Sequence, residues 1–248
     1  MARLYISAHQ DDDLIFMSPC LSEDIASGEG VWTVYLTAGN AGLADASYWH
    51  GREDGECAAY SVMGVLGWRD EVLRVADKGI ASSVSVDGKA RLVFLRLPDG
   101  GSLGNEQVQS RALERMWEGA EVGTIDGAYN YTGEELLKTL TEINQLAEAD
   151  LVSTHDPDGW VAGCDHLDHI YAGRFAVEAA KRTGSHLMLF RGYSCDLKPP
   201  NLPDVTYFRK RAVFEAYARH DPMIPSPLDA LYEGWLKRSY SRIVPSEV

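Results

Sequence analysis

Several short apolar runs in this chain end abruptly in polar residues, and that recurring switch restricts its possible folds more than any other feature. Leu4 to Ala8 gives way to His9-Gln10-Asp11-Asp12-Asp13. Val31 to Thr37, rich in β-branched and aromatic residues, runs into Ala38-Gly39-Asn40-Ala41-Gly42. Leu92 to Leu97 stops at Pro98-Asp99-Gly100-Gly101, and Asp150 to Thr154 stops at His155-Asp156-Pro157. Runs this short and apolar read as buried strands. Between them lie stretches with helical spacing. Asp12 to Ala26 places Leu14, Ile15, Met17, Leu21 and Ile25 on one stripe, with Pro19 as a bend or break. Arg52 to Val65, Gly133 to Ala147, His169 to Arg182, Tyr207 to His220 and Leu228 to Tyr240 also read as helices. Thr132 with Glu135 three residues on is a capping box. Val84 to Val86, Leu187 to Phe190 and Gly192 to Cys195 read as further strands, while residues 102 to 131 carry no clear period.

Strands alternating with helices predict an α/β fold, Rossmann-like, with a mostly parallel sheet and helices on both faces. The length suits a single domain over residues 1–248, with the helices of 207–240 packed on it. In such sheets ligands bind at the carboxyl ends of the strands, which is where the polar clusters fall.

The balance of 23 basic against 37 acidic residues, a net charge of −14, argues against nucleic-acid or anionic-membrane binding. No apolar run reaches membrane-spanning length, and Arg3 comes too early for a signal peptide. Cys20, Cys57, Cys164 and Cys195 form no CxxC pair, so neither a sulfur-based zinc cluster nor a disulfide framework is expected. These features fit a cytoplasmic enzyme with a small-molecule substrate. They say nothing of oligomeric state.

Asp11, Asp12 and Asp13 repel one another beside His9, a costly arrangement unless a cation neutralises it. A second cluster, Asp165-His166-Leu167-Asp168-His169, leads into a helix. Imidazole plus carboxylate without thiolate is the ligand set of a catalytic zinc, and a carboxylate beside it can act as general base. The competing reading is that these are turn residues capping helices, for which Asp is well suited. For His220-Asp221, at a helix end, that structural reading is the better one. Trp49, Trp160 and Tyr193 could form a platform for a sugar ring, but aromatics more often belong to the core.

Ser7-Ala8-His9-Gln10-Asp11-Asp12-Asp13 resembles the AHPDDE signature of the LmbE/PIG-L family of zinc-dependent N-deacetylases. Asp165 to Gly173 is similar to the family's second signature, HPDHxxxG. The resemblance extends to Leu36 to Asn40, Arg52-Glu53 and Leu97 to Gly100, and so over most of residues 3 to 183. It implies one zinc per chain, or another divalent transition metal, held by His9, Asp12 and His169. It implies Asp11 as general base, His166 as a stabiliser of developing charge, and Asp168 as the residue orienting it or a neighbouring histidine. Arg52 and Asp99 match substrate-side positions. Gln10 and Leu167 stand where the family has proline, and Asp13 where it has glutamate. The implied reaction removes an N-acetyl or other N-acyl group from an amino sugar of a glycoconjugate. A zinc amidase acting on a thiol conjugate or another amide is an alternative. So is a sugar-binding protein that has lost turnover, although binding alone would not need Asp11.

Overall fold

The computed structural model describes residues 2–100, 110–159 and 165–246. The strands are β1 (Ala2–Ser7), β2 (Gly30–Thr37), β3 (Trp68–Val75), β4 (Lys78–Ser85), β5 (Ala90–Leu97), β6 (Val122–Gly123), β7 (Asn130–Tyr131), β8 (Leu151–His155), β9 (His186–Phe190) and β10 (Ser241–Val244). Eight of them form one sheet in the order β10-β9-β8-β1-β2-β5-β4-β3, and β6 pairs with β7 apart from it. The five central strands, β9-β8-β1-β2-β5, are mutually parallel. Antiparallel strands finish both edges. The fold is therefore α/β around a mostly parallel, mixed sheet.

Side chains alternate across this sheet because successive Cβ atoms of a strand point to opposite faces. Leu4 and Ile6 of β1 enter one core with Val34, Val93, Val152 and Leu189. That core is covered by α3 (Ala112–Trp117), α4 (Gly133–Ala147) and α5 (Leu167–Thr183) through residues such as Met116, Leu140 and Phe175. Tyr5, Tyr35, Leu92 and Phe190 face the other core. There α1 (Cys20–Ser27), α2 (Ala46–Val62), α6 (Asp204–Ala218) and α7 (Ala230–Leu236) pack through Leu21, Tyr60, Phe214 and Trp235.

The chain leaves β1 for β2 and β5 on one side, then crosses to β8 and β9 on the other. Its winding reverses between β1 and β8, the crevice where open α/β sheets bind ligands. Gly173 holds α5 close to this point, since a Cβ there would lie 2.5 Å from the carbonyl oxygen of His155.

Several elements differ from the sequence expectation. The stretch Asp12 to Ala26 is not one helix. A π-helical turn, Asp13–Met17, is broken at Ser18-Pro19 before α1 begins. Gly192 to Cys195 is not a strand: Tyr193–Leu197 forms a 3-10 turn. The helix expected over Leu228 to Tyr240 covers Ala230–Leu236 only, and the chain then forms β10. β3 escaped notice because its charged residues, Arg69, Asp70 and Glu71, are all exposed on an edge strand and carry no apolar alternation. Of the unassigned stretch, residues 110–131 supply α3, β6 and β7, whereas 101–109 lie outside the described residues.

Lys210 of α6 is buried, and its Nζ donates to the carbonyl oxygen of Arg238 at 2.7 Å. Burial pushes its pKa down to about 7. In the unfolded chain a lysine titrates near about 10.4. Below pH 7 both states are charged and the fold carries the cost of a buried ammonium. Between the two pKa values only the folded state has lost its proton, so stability rises with pH. Lys210→Met should therefore raise the melting temperature at pH 6.5, and the gain should shrink toward pH 10. A gain independent of pH would count against a neutralising lysine.

Candidate metal centre

The residues that follow β1 and β8 meet residues of α5 in the crevice. Asp12 is fully buried. Its Oδ2 accepts the backbone N–H of His9 at 2.8 Å and lies 3.2 Å from His9 Nδ1 and 3.3 Å from His155 Nε2. Its Oδ1 lies 3.0 Å from His169 Nε2, yet both atoms are buried without a hydrogen bond. Buried polar atoms are rarely left so, and an ion between them would account for both. The candidate ligand atoms of His9, Asp12 and His169 all lie within 4.8 Å of one another. Nitrogen and oxygen donors so placed suit a borderline divalent ion. Against the cost of burial, His169, His9 and His155 hold the Asp12 carboxyl well below the usual carboxylate range.

Both outer histidines are backed by carboxylates. His169 Nδ1 meets Asp165 Oδ1 at 2.7 Å, and His9 Nε2 meets Asp168 Oδ2 at 3.2 Å. With a cation at Asp12, these carboxylates would accept the N–H of His169 Nδ1 and of His9 Nε2 and leave His169 Nε2 and His9 Nδ1 to face the ion. The Asp168 carboxylate thus lies closer to His9 than to His166, whose Nδ1 is 3.8 Å from it. Gly100 N also donates to Asp168 at 2.6 Å.

His166 caps α5: its Nδ1 accepts the backbone N–H of Asp168 at 3.1 Å. A neutral ring so held carries its proton on Nε2. Burial, with His9 adding to it, pushes the pKa of His166 down to about 4, so the ring is neutral at physiological pH. Nε2 lies 3.7 Å from Asp99 Oδ1, which is also 3.7 Å from His9 Nε2. Asp99 Oδ2 in turn accepts from Ala41 N at 3.1 Å, and Asn40 Oδ1 accepts from Asp99 N at 3.0 Å. The loops after β1, β2, β5 and β8 therefore face one space.

Asp11 stands beside this cluster with its Oδ2 3.2 Å from Arg52 Nη2. Burial raises its pKa, while Arg52 pulls it down. Arg52 is itself buried. Its guanidinium donates to the carbonyl oxygens of Gly39 and Gln10 and to Tyr217 Oη, and Nε lies 3.1 Å from Asp221 Oδ2. Arg52 thus links Asp11 to Asp221, Tyr217 and the loop at Gly39. Of the aromatic platform residues, Tyr193 stacks on His169 with ring centroids 5.1 Å apart, Trp49 packs on His50, and Trp160 lies outside the described residues.

Asp165, Glu56, Tyr217 and Asp221 were not singled out as site residues from the sequence. Asp165 sits in the second cluster, four residues before His169 and so one helical turn away, a spacing that could have marked it. The others become visible only once distant elements meet.

Residues 4–180 match the PIG-L family, described as GlcNAc-PI de-N-acetylase. That span is well over half of the chain, and the chain belongs to this family of deacetylases. A 1D-myo-inositol 2-acetamido-2-deoxy-alpha-D-glucopyranoside deacetylase of Segniliparus rotundus is 29% identical over 182 residues, 72% of this chain and 50% of that protein. The chain thus spans about half the length of this curated relative. Among solved structures, the N,N'-diacetylchitobiose deacetylase of Pyrococcus horikoshii aligns with a TM-score of 0.56 at 18% identity, covering 98% of this chain and 84% of its own. A zinc-inhibited form of teicoplanin deacetylase aligns with a TM-score of 0.54 at 15% identity, covering 88% of this chain and 84% of its own. These two likenesses concern the fold. Among the described residues, no helix is long and apolar enough to cross a membrane.

Gly192 leaves no room for a side chain beside this cluster: a Cβ would lie 2.6 Å from both Asp165 Oδ1 and His169 Nδ1. Gly192→Ala should displace that pair. By the usual cost of overpacking it should lose about 1–3 kcal/mol of stability, measurable by denaturant titration. Unchanged stability would mean that the pair yields without strain.

Proposed function

We propose that this chain is a zinc-dependent hydrolase that removes an N-acetyl group from an amino sugar of a small glycoconjugate. The observation that carries the reading is the pair of buried atoms Asp12 Oδ1 and His169 Nε2, 3.0 Å apart and without a hydrogen bond. Membership of the deacetylase family and the substrates named for its relatives support it. One zinc per chain would be held by His9, Asp12 and His169, an assignment favoured by the donor set and by the zinc named for one structural relative.

Bound there, the ion would supply Lewis acidity, lowering the pKa of water to about 7 and polarising the acyl carbonyl. The chain's own residues do the rest. Asp11 accepts the proton of the attacking water at a carboxylate oxygen, then passes it to the leaving nitrogen, so that a carboxylate and a free amine result. Arg52 holds Asp11 in place through its 3.2 Å contact. His166, neutral and with its proton on Nε2, donates to the carbonyl oxygen as charge gathers there. Asp165 and Asp168 keep His169 and His9 turned toward the centre. Asp99 lines the substrate side together with Asn40.

Elemental analysis of the purified protein should find about one zinc-type ion per chain. His9→Ala or His169→Ala should strip it, and full occupancy in both would refute the ligand set. Mass spectrometry with N,N'-diacetylchitobiose and with 1D-myo-inositol 2-acetamido-2-deoxy-α-D-glucopyranoside should record loss of one acetyl group. Turnover of neither, beside hydrolysis of a thiol-conjugate amide, would move the protein to the amidases.

Asp11→Asn should keep the fold and the metal while turnover falls on the order of 100-fold or more. Asp12→Asn should weaken metal retention instead. The opposite pattern, with metal lost from the first variant and kept by the second, would reverse the two roles.

A further inference from the structure

Asp11 adopts a left-handed backbone conformation, with φ at +89°. A residue with a side chain reaches this region only when its surroundings hold it there. The position follows β1, and the π-helical turn begins two residues later. The left-handed residue thus sits between the end of β1 and the π-helical turn, next to Asp12.

One contact fixes it from the α2 side. Glu56, fully buried on α2, accepts the backbone N–H of Asp11 through Oε1 at 2.6 Å. This is a short contact made to the main chain of Asp11, while Arg52 of the same helix touches its side chain. The bond to Asp11 N is joined by an interaction with the Tyr35 hydroxyl, and Glu56 Oε2 is buried without a hydrogen bond. Burying a carboxyl group on a helix for so few partners is costly, and a helix interior would accept an apolar residue at that position more readily.

We infer that Glu56 is a positioning residue for the reaction: by accepting the N–H of Asp11 it holds the left-handed turn that presents the Asp11 carboxylate to the centre. The inference rests on the proposed role of Asp11 as base. Glu56 acts here through reach. Its acceptor must extend from α2 to one amide.

Two conservative variants separate reach from the carboxyl group itself. Glu56→Asp keeps the carboxyl group and withdraws the acceptor by one methylene. Glu56→Gln replaces the carboxyl group by an amide and keeps an acceptor oxygen at the same reach. With N,N'-diacetylchitobiose as probe, Glu56→Asp should lose about 10-fold or more in kcat, with KM and metal content within about twofold of the parent. Glu56→Gln should stay close to the parent. A readout independent of turnover is the exchange rate of the Asp11 amide proton followed by NMR, which should rise at least about tenfold in Glu56→Asp and little in Glu56→Gln. Loss in the Gln variant with the Asp variant unharmed, equal loss in both, no loss in either, or an Asp11 amide equally protected in both would each overturn the inference. Should Asp11→Asn remain active, the base assignment falls, while the amide exchange still decides whether Glu56 holds the turn.

Discussion

The carboxylate of Asp12 is the constraint to which the rest of the centre answers. It is wholly buried, and three histidines from three parts of the chain surround it. An unpaired buried charge would cost several kcal/mol, so the chain has to deliver those rings to it. His9 arrives on the end of β1, His155 on the end of β8, and His169 on the first turn of α5. The reversal of winding between β1 and β8 puts the first two side by side. Gly173 and Gly192 then let α5 and the turn after β9 come close enough to complete the set.

Around this charge the side chains form successive shells of alternating sign. Asp165 and Asp168 stand behind His169 and His9, and Arg52 stands behind Asp11 with Asp221 beyond it. Each layer fixes a proton or an orientation in the one inside it. The departure of Asp13 from the family's glutamate is absorbed in the same way. Its Oδ2 accepts from Tyr35 at 3.0 Å and Tyr60 at 2.9 Å, so hydroxyls from β2 and α2 reach the shorter side chain.

Much of this was legible in the sequence because the strands are short, apolar and ended by polar clusters. Leu4 to Ala8 and Val31 to Thr37 announce β1 and β2, and the position of His9 to Asp12 at a strand end follows from them. The two signatures contain His9, Asp12, Asp165, His166, Asp168 and His169, and leave out His155. What escaped has physical causes. β3 lies exposed on an edge, so no buried face imposes an apolar period on it. Gly192 to Cys195 has strand-like composition, but the chain must turn there to pass Asp165, and Tyr193 N lies 3.3 Å from Asp165 Oδ1. Glu56 looks like any acidic residue on a helix. Only the fold carries it 45 positions back along the chain to Asp11.

The family match ends at residue 180, yet the centre does not. Tyr193 covers His169, Gly192 admits the Asp165–His169 pair, and Tyr217 and Asp221 hold Arg52 against Asp11. All four belong to the part of the chain beyond the match. The candidate ligand atoms of His9, Asp12 and His169 come from within it, whereas the contacts that Tyr217 and Asp221 make to Arg52 come from outside. The distribution of polar atoms agrees: the contacts from beyond residue 180 go to the carboxylates and the guanidinium that support the centre, not to Asp12 itself. The C-terminal segment therefore bears on the positions of Arg52, beside Asp11, and of the Asp165–His169 pair.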